Sequence, residues 1–187
     1  KITGGDRVGS IEIKVINSEV VRSQLRLVAA QSPKAVVLAL NRAIENTKNE
    51  GVRGALSLYY VKRADINHGL TIKRASIGNL QASFKSKGSR LTLDSFRVVS
   101  VKRGAPVQVS VKKEGGDKQL YTPYFGHLGK GIFKRVEDGS YPIHTKYGLS
   151  APQMIGEETL LARLESFSNR KLEERLYHEL SRLGGLK

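Results

Sequence analysis

Residues 32–48 read SPKAVVLALNRAIENTK, and the period of this stretch decides the fold class. Ser32 is suited to accept hydrogen bonds from the free amides at a helix start. Pro33, at the first helical position, gives up an amide that has no partner there. Val36, Val37, Leu40 and Ile44 fall on one face with Ala35, Ala39 and Ala43 adjoining, which predicts an amphipathic helix. The helical period continues over 48–60 through Val52, Leu56 and Tyr59 or Tyr60. Gly51 and Gly54 weaken it by about 1 kcal/mol each relative to alanine, and the reading is a second helix packed on the first. Asp65 is read as the cap of one further short turn.

Upstream, residues 10–16 (SIEIKVI) alternate as a short strand. Asn17-Ser18 breaks it before an apolar-periodic, helix-like stretch over 20–30. Downstream the period changes to two: 70–76, 80–86, 91–96, 96–101 and 107–113 (VQVSVKK) all read as strands, joined in part by turns at 87–89 and 114–117. Residues 132–136 (IFKRV) form another strand, Asp138-Gly139 supplies a turn, and Tyr141-Pro142-Ile143 begins the return. Pro142 cannot donate to a ladder, so that return belongs at a sheet edge. Ser150 then caps a long helix with a seam of Leu161, Leu164, Leu172, Leu176, Leu180 and Leu183, broken or kinked at 166–169. The expected class is α+β: N-terminal helices on a mainly antiparallel basic sheet, a late β-hairpin and a long C-terminal helix. The domain reading is an N-terminal extension or strand over 1–19, an α+β domain over 20–150, and a helix over 151–187 packing on that domain or on a neighbouring subunit.

The 187 residues carry a formal charge of +15 and a pI near 10.1. Such a charge favours a polyanionic neighbour. It is concentrated in residues 61–113, where Lys62, Arg63, Lys73, Arg74, Lys85, Lys87, Arg90, Arg97, Lys102, Arg103, Lys112 and Lys113 stand against Asp65 and Asp94, so 12 − 2 gives +10. These twelve are the candidate DNA-facing residues. Edge lysines that guard a sheet against aggregation are the bland alternative, but +10 exceeds what edges require. The twelve suit phosphate contact without base readout, since no helix-turn-helix or RNA-recognition motif accompanies them. From 151 to 187, six bases meet six acids, the pattern of a solvated or partner-packed helix.

The absence of cysteine removes disulfides, thiolate metal sites and cysteine nucleophiles. No apolar run approaches the roughly 20 residues of a membrane span, and KITGGDRVGS lacks the apolar segment of a signal peptide, so a soluble protein made in the cytosol is expected.

Residues 126–136, GHLGKGIFKRV, superficially suggest a phosphate-binding loop. That loop needs two glycines separated by four residues, then Lys and a hydroxyl residue, between a strand and a helix. Here Gly126 and Gly129 are separated by two residues, Gly131 stands where the hydroxyl belongs, and a strand follows; a glycine-bent hairpin entry accounts for it better. His68, His127, His144 and His178 form no metal-ligand spacing, and no serine sits in a Gly-x-Ser-x-Gly elbow. Glu157-Glu158 and Glu173-Glu174 are adjacent, so on a helix their side chains diverge. No catalytic residue, metal site or cofactor is expected.

Taken in order, residues 35–48 (AVVLALNRAIENTK), residues 124–154 (YFGHLGKGIFKRVEDGSYPIHTKYGLSAPQM) and the charged helix behind them resemble the minor tail protein Z family, the tail completion proteins of long-tailed phages and prophages. The resemblance rests on Ala-Leu-Asn-Arg at 39–42, the aromatic-glycine lead-in at 124–126, a strand ending in Arg135, Tyr-Pro-Ile at 141–143, and Tyr147, Gly148, Ser150 and Pro152 leading into the last helix. It covers most of the chain from about residue 20; residues 97–120 add little, and the first ten have no counterpart. It implies a non-enzymatic virion protein of the tail and neck, assembled in the host cytoplasm. That protein finishes the head-proximal end of the tail and allows head-tail joining. Implied partners are further copies in a ring around the DNA channel, the tail terminator or tail tube protein, the head connector and the end of the phage DNA, with no membrane. Tyr124, Phe125, Phe133, Arg135, Tyr141, Pro142 and Tyr147 are the candidate assembly interface. The alternative, carried by charge alone, is a non-sequence-specific nucleic-acid-binding protein.

Overall fold

The computed structural model describes residues 9–14, 32–100, 107–114, 119–121, 124–125, 131–135 and 143–182. The class is α+β. The helix expected from residue 33 is α1, Pro33–Leu58. The carbonyl of Ser32 accepts from the amides of Ala35 and Val36, so α1 starts where Ser-Pro placed it. Val36, Ala39, Leu40, Ala43 and Ile44 are fully buried, and Val37 is half-buried.

The expected second helix over 48–60 is instead the continuation of α1. Gly51 and Gly54 cost propensity without breaking the helix, because Val52 and Ala55 prolong the buried face, and packing outweighs a loss of about 1 kcal/mol per glycine. After Tyr59-Tyr60 comes α2, Arg63–Asn67, with Lys62 at its N-cap; Asp65 lies inside the turn it was expected to cap.

The period-two region does form strands, but among the described residues they make four small sheets rather than one. β1 (Gly9–Lys14), β3 (Ser83–Gly88) and β2 (Leu70–Lys73) form the first, in that order. β4 (Arg90–Thr92) pairs antiparallel with β11 (Tyr147–Ser150). β5 (Arg97–Ser100), β6 (Val107–Ser110) and β7 (Gln119–Tyr121) form an antiparallel meander. β8 (Tyr124–Phe125), β9 (Phe133–Arg135) and β10 (Ile143–Thr145) form the last, also antiparallel. The division has a local cause: residues 93–95, read as strand, are a 3-10 turn that ends β4 before β5 begins. The late hairpin is present as β9–β10, and among the described residues β10 lies at the edge of its sheet; Pro142 itself is outside them.

Ser150 caps a helix, but a short one: α3, Ala151–Ile155, is separated by Gly156 and Glu157 from α4, Glu158–Arg182. The backbone amide and hydroxyl of Ser150 donate to Oε1 of Gln153 at 3.0 and 3.1 Å, and the Gln153 amide donates back to the hydroxyl at 3.4 Å. The break expected at 166–169 is absent. The hydroxyls of Ser166 and Ser168 bond back to the carbonyls of Ala162 and Glu165, so these residues satisfy themselves within the helix. The seam is also displaced by one residue at its start. Leu160, Leu164, Ser168, Leu172 and Glu179 are buried, while Leu161, Leu176 and Leu180 are half-buried.

Two compact units interleave along the chain. One comprises Lys1–Ser10, Gly54–Gly69 and Lys87–Met154; the other comprises Ile11–Arg53, Leu70–Ser86 and Ile155–Lys187. In the second unit, a methyl group at Gly51 would lie 3.4 Å from Leu164, 3.6 Å from Phe84 and 3.8 Å from Ile155, which fixes where α1, β3 and α4 meet. Glu50, 8% exposed, accepts a hydrogen bond from Arg163 and lies 3.8 Å from Arg53. Asn41 is bonded twice to Ala75: its Nδ2 donates to the carbonyl at 3.2 Å and its Oδ1 accepts from the amide at 2.8 Å. In the first unit Ile66, Leu93, Phe96, Val107, Val109, Ile132 and Met154 are buried.

Candidate functional site

In the first unit the chain leaving α1 meets the chain leaving β6. Tyr59 and Lys112 form an antiparallel bridge, the Tyr60 amide donates to the Val111 carbonyl at 2.9 Å, and the Lys113 amide donates to the Leu58 carbonyl at 2.8 Å. α1 has no basic residue in its last turn. Lys113 fills that role from outside the helix, its Nζ donating to the Leu56 carbonyl at 2.7 Å, where the negative end of the helix dipole favours a cation. Because β5 pairs with β6 in a register that sets Arg97 opposite Ser110, Arg97 arrives beside the same corner.

The result is a set of cations held by two tyrosines. Arg97 Nη1 donates to the Tyr60 hydroxyl at 3.0 Å with its guanidinium carbon 5.1 Å from the ring centroid. The ammonium of Lys113 is 5.8 Å from the same ring, and that of Lys112 is 5.8 Å from the ring of Tyr59. Tyr59 is buried and Tyr60 half-buried, whereas Arg97, Lys112 and Lys113 are exposed.

Of the twelve expected DNA-facing residues, Lys62, Arg63, Lys87, Arg90, Arg97, Lys112 and Lys113 are exposed in this unit, and none pairs with a carboxylate among the described residues. Every ion pair found among the described residues belongs to the other unit. Lys73, Arg74 and Lys85 lie in that other unit, where Arg74 is tied to Glu45 at 2.6 Å. Lys102 and Arg103 lie outside the described residues. Sequence reading left out the tyrosines; the signal was an aromatic pair ending the apolar period of α1, two residues before Lys62-Arg63.

For the expected assembly interface, β8 and β9 set Tyr124 opposite Lys134 and Phe125 opposite Phe133. Phe133 is half-buried, Tyr147 is 41% exposed, Arg135 ends β9, and Tyr141 and Pro142 lie outside the described residues. Of the GHLGKG stretch, residues 126–130 are outside the described residues. Gly131 has φ +142°, a backbone setting that favours glycine and fits a bent entry to β9.

A cavity of about 240 Å³ in the first unit is lined by Asp65, His68, Lys87, Ser89 and Leu91 among others. No group of three His, Asp or Glu residues among the described residues is placed to hold a metal ion. No helix among the described residues is long and apolar enough to cross a membrane. On α4 the Lys171 ammonium donates to the Glu174 carboxylate at 2.5 Å and holds its carboxyl below the ordinary range. A lowered carboxyl stabilises above the unfolded-state pKa, and that small, screened contribution is lost as pH falls through the folded value.

Compared with models of known protein families, with curated proteins and with solved structures, the chain matches none.

Proposed function

We propose that the chain is a virion structural protein, a minor tail protein that completes the head-proximal end of a long phage tail and lets it join the head. Copies form a ring around the DNA channel, between the tail terminator or tube and the head connector, and the end of the DNA lies close to them. The protein acts by assembly, without catalysis or cofactor. It is built in the host cytoplasm and resides in the tail and neck of the virion.

The observation that carries this reading is the ordered motif set, in which Asn41, Gly148 and Ser150 hold positions that constrain the fold. Asn41 of Ala-Leu-Asn-Arg holds the backbone of Ala75. Gly148 lies against Phe96, and Ser150 caps α3. Cations without a carboxylate partner among the described residues of one unit support a phosphate neighbour and also favour the second reading, a non-sequence-specific nucleic-acid-binding protein. Particles made without this chain separate the two. The expected result is complete heads and tails that stay unjoined until the purified chain is added; joining without it would overturn the tail reading.

A further inference from the structure

We propose that Arg97 and Lys112, held on Tyr60 and Tyr59 at the end of α1, form a phosphate-contact cluster for duplex polynucleotide. The proposal takes from the reading above only that a polyanion lies beside the chain, and it assigns that contact to one corner of one unit.

Three observations carry it. First, both side chains are exposed and neither has a carboxylate partner among the described residues, so no described carboxylate neutralises their charge. Second, the tyrosines fix the cations in place: Tyr60 binds Arg97 through its hydroxyl and its ring, and Tyr59, buried and bridged to Lys112, carries that ammonium above its ring. Ordering a cation beforehand reduces the entropy lost when it meets a phosphate. Third, the charge is locally dense. Lys62 and Arg63 follow Tyr60 by two and three residues, within about 7–11 Å of chain, and Lys113 stands beside Arg97 on the Tyr60 ring. Lys113 itself is engaged by the Leu56 carbonyl, so it adds field more than a free contact.

The same geometry chooses between two modes of recognition. Single strands are bound on open aromatic faces where bases stack. Here one tyrosine is buried and the other is occupied by two cations, so no free platform is offered. Contact falls to phosphates, which duplex presents at higher charge density and without sequence information.

The test is fluorescence anisotropy of the full chain with a mixed-sequence duplex and with a single strand of equal length, between 50 and 200 mM salt. Three proteins are compared: wild type, Arg97→Gln/Lys112→Gln, and Lys73→Gln/Lys85→Gln as the control from the other unit. Wild type should prefer duplex. The Arg97→Gln/Lys112→Gln variant should bind about tenfold or more weakly with a log–log salt slope shallower by about 2, as loss of two phosphate contacts requires, while the control stays within about threefold of wild type. Circular dichroism checks that each variant folds. If the double variant does not, Lys112→Gln alone should lower the slope by about 1. An unchanged slope, an equal loss in the control, or a preference for single strands overturns the proposal. Failure of wild type to bind duplex would sink the cluster but leave the tail reading to the head-joining experiment. Binding as expected, with tails that join heads in the absence of the chain, would sink the tail reading alone.

Discussion

Asn41 carries out with one side chain what a strand neighbour does with its backbone, donating to the carbonyl of Ala75 and accepting from its amide. Ala75 is buried, so removing the amide strands two backbone groups away from water. Asn41→Ala should therefore cost about 1–3 kcal/mol in urea unfolding. Arg42→Ala, at the exposed neighbour in the same motif, should stay within about 0.5 kcal/mol. Equal stability of Asn41→Ala and wild type would remove the clamp from this account. A polar residue inside an apolar run marks the position in the sequence, but its partner lies 34 residues away, and no local period points there. For the same reason the tyrosine cluster escaped notice: Tyr59 and Tyr60 read as the end of a helical stripe, and only the bridge to Lys112 reveals what they hold.

Elements were legible where their signal is local. Ser32-Pro33 gave the start of α1, Ser150 the cap before the C-terminal helices, and the alternation over 132–136 the first strand of the late hairpin, whose expected turn at Asp138-Gly139 lies outside the described residues. What failed depended on competition between propensity and packing. Gly51 and Ser168 look like breakers, yet each sits on a buried helix face, and burial of that face holds the helix together. Two glycines give a paired test with opposite signs. A methyl at Gly51 would meet Leu164, Phe84 and Ile155 at ordinary van der Waals distances, so Gly51→Ala should raise stability by about 0.5–1 kcal/mol through helix propensity. A methyl at Gly148 would lie 2.5 Å from the buried ring of Phe96, so Gly148→Ala should lower stability by about 1–3 kcal/mol. Thermal melting of the two variants decides it; shifts of the same sign would contradict the packing described for both elements. The single basic sheet dissolved into four because strand pairing is a choice among distant partners. Only the fold sets β4 against β11 rather than β5.

Across the whole molecule, charge count alone does not single out a functional face. The unit of Lys1–Ser10, Gly54–Gly69 and Lys87–Met154 has 16 bases and 7 acids, 16 − 7 = +9; the other has 16 bases and 10 acids, 16 − 10 = +6. Pairing distinguishes them: among the described residues the ion pairs gather in the second unit, chiefly on α4, and the described cations of the first have no carboxylate partner. That sorting was half-visible in sequence, where residues 151–187 balance and 61–113 do not. The interleaving of the units was not visible, because each is assembled from segments far apart in the chain. The proposed role beside packaged DNA calls for a surface open to phosphate, which the described cations of the first unit could supply. The most direct test is a cryo-electron microscopy reconstruction of the head-tail junction of a particle containing this chain. The account predicts copies in a ring at the head-proximal end of the tail, with Arg97 and Lys112 turned toward the DNA. Density for the chain anywhere else in the particle, or none at the junction, would contradict it.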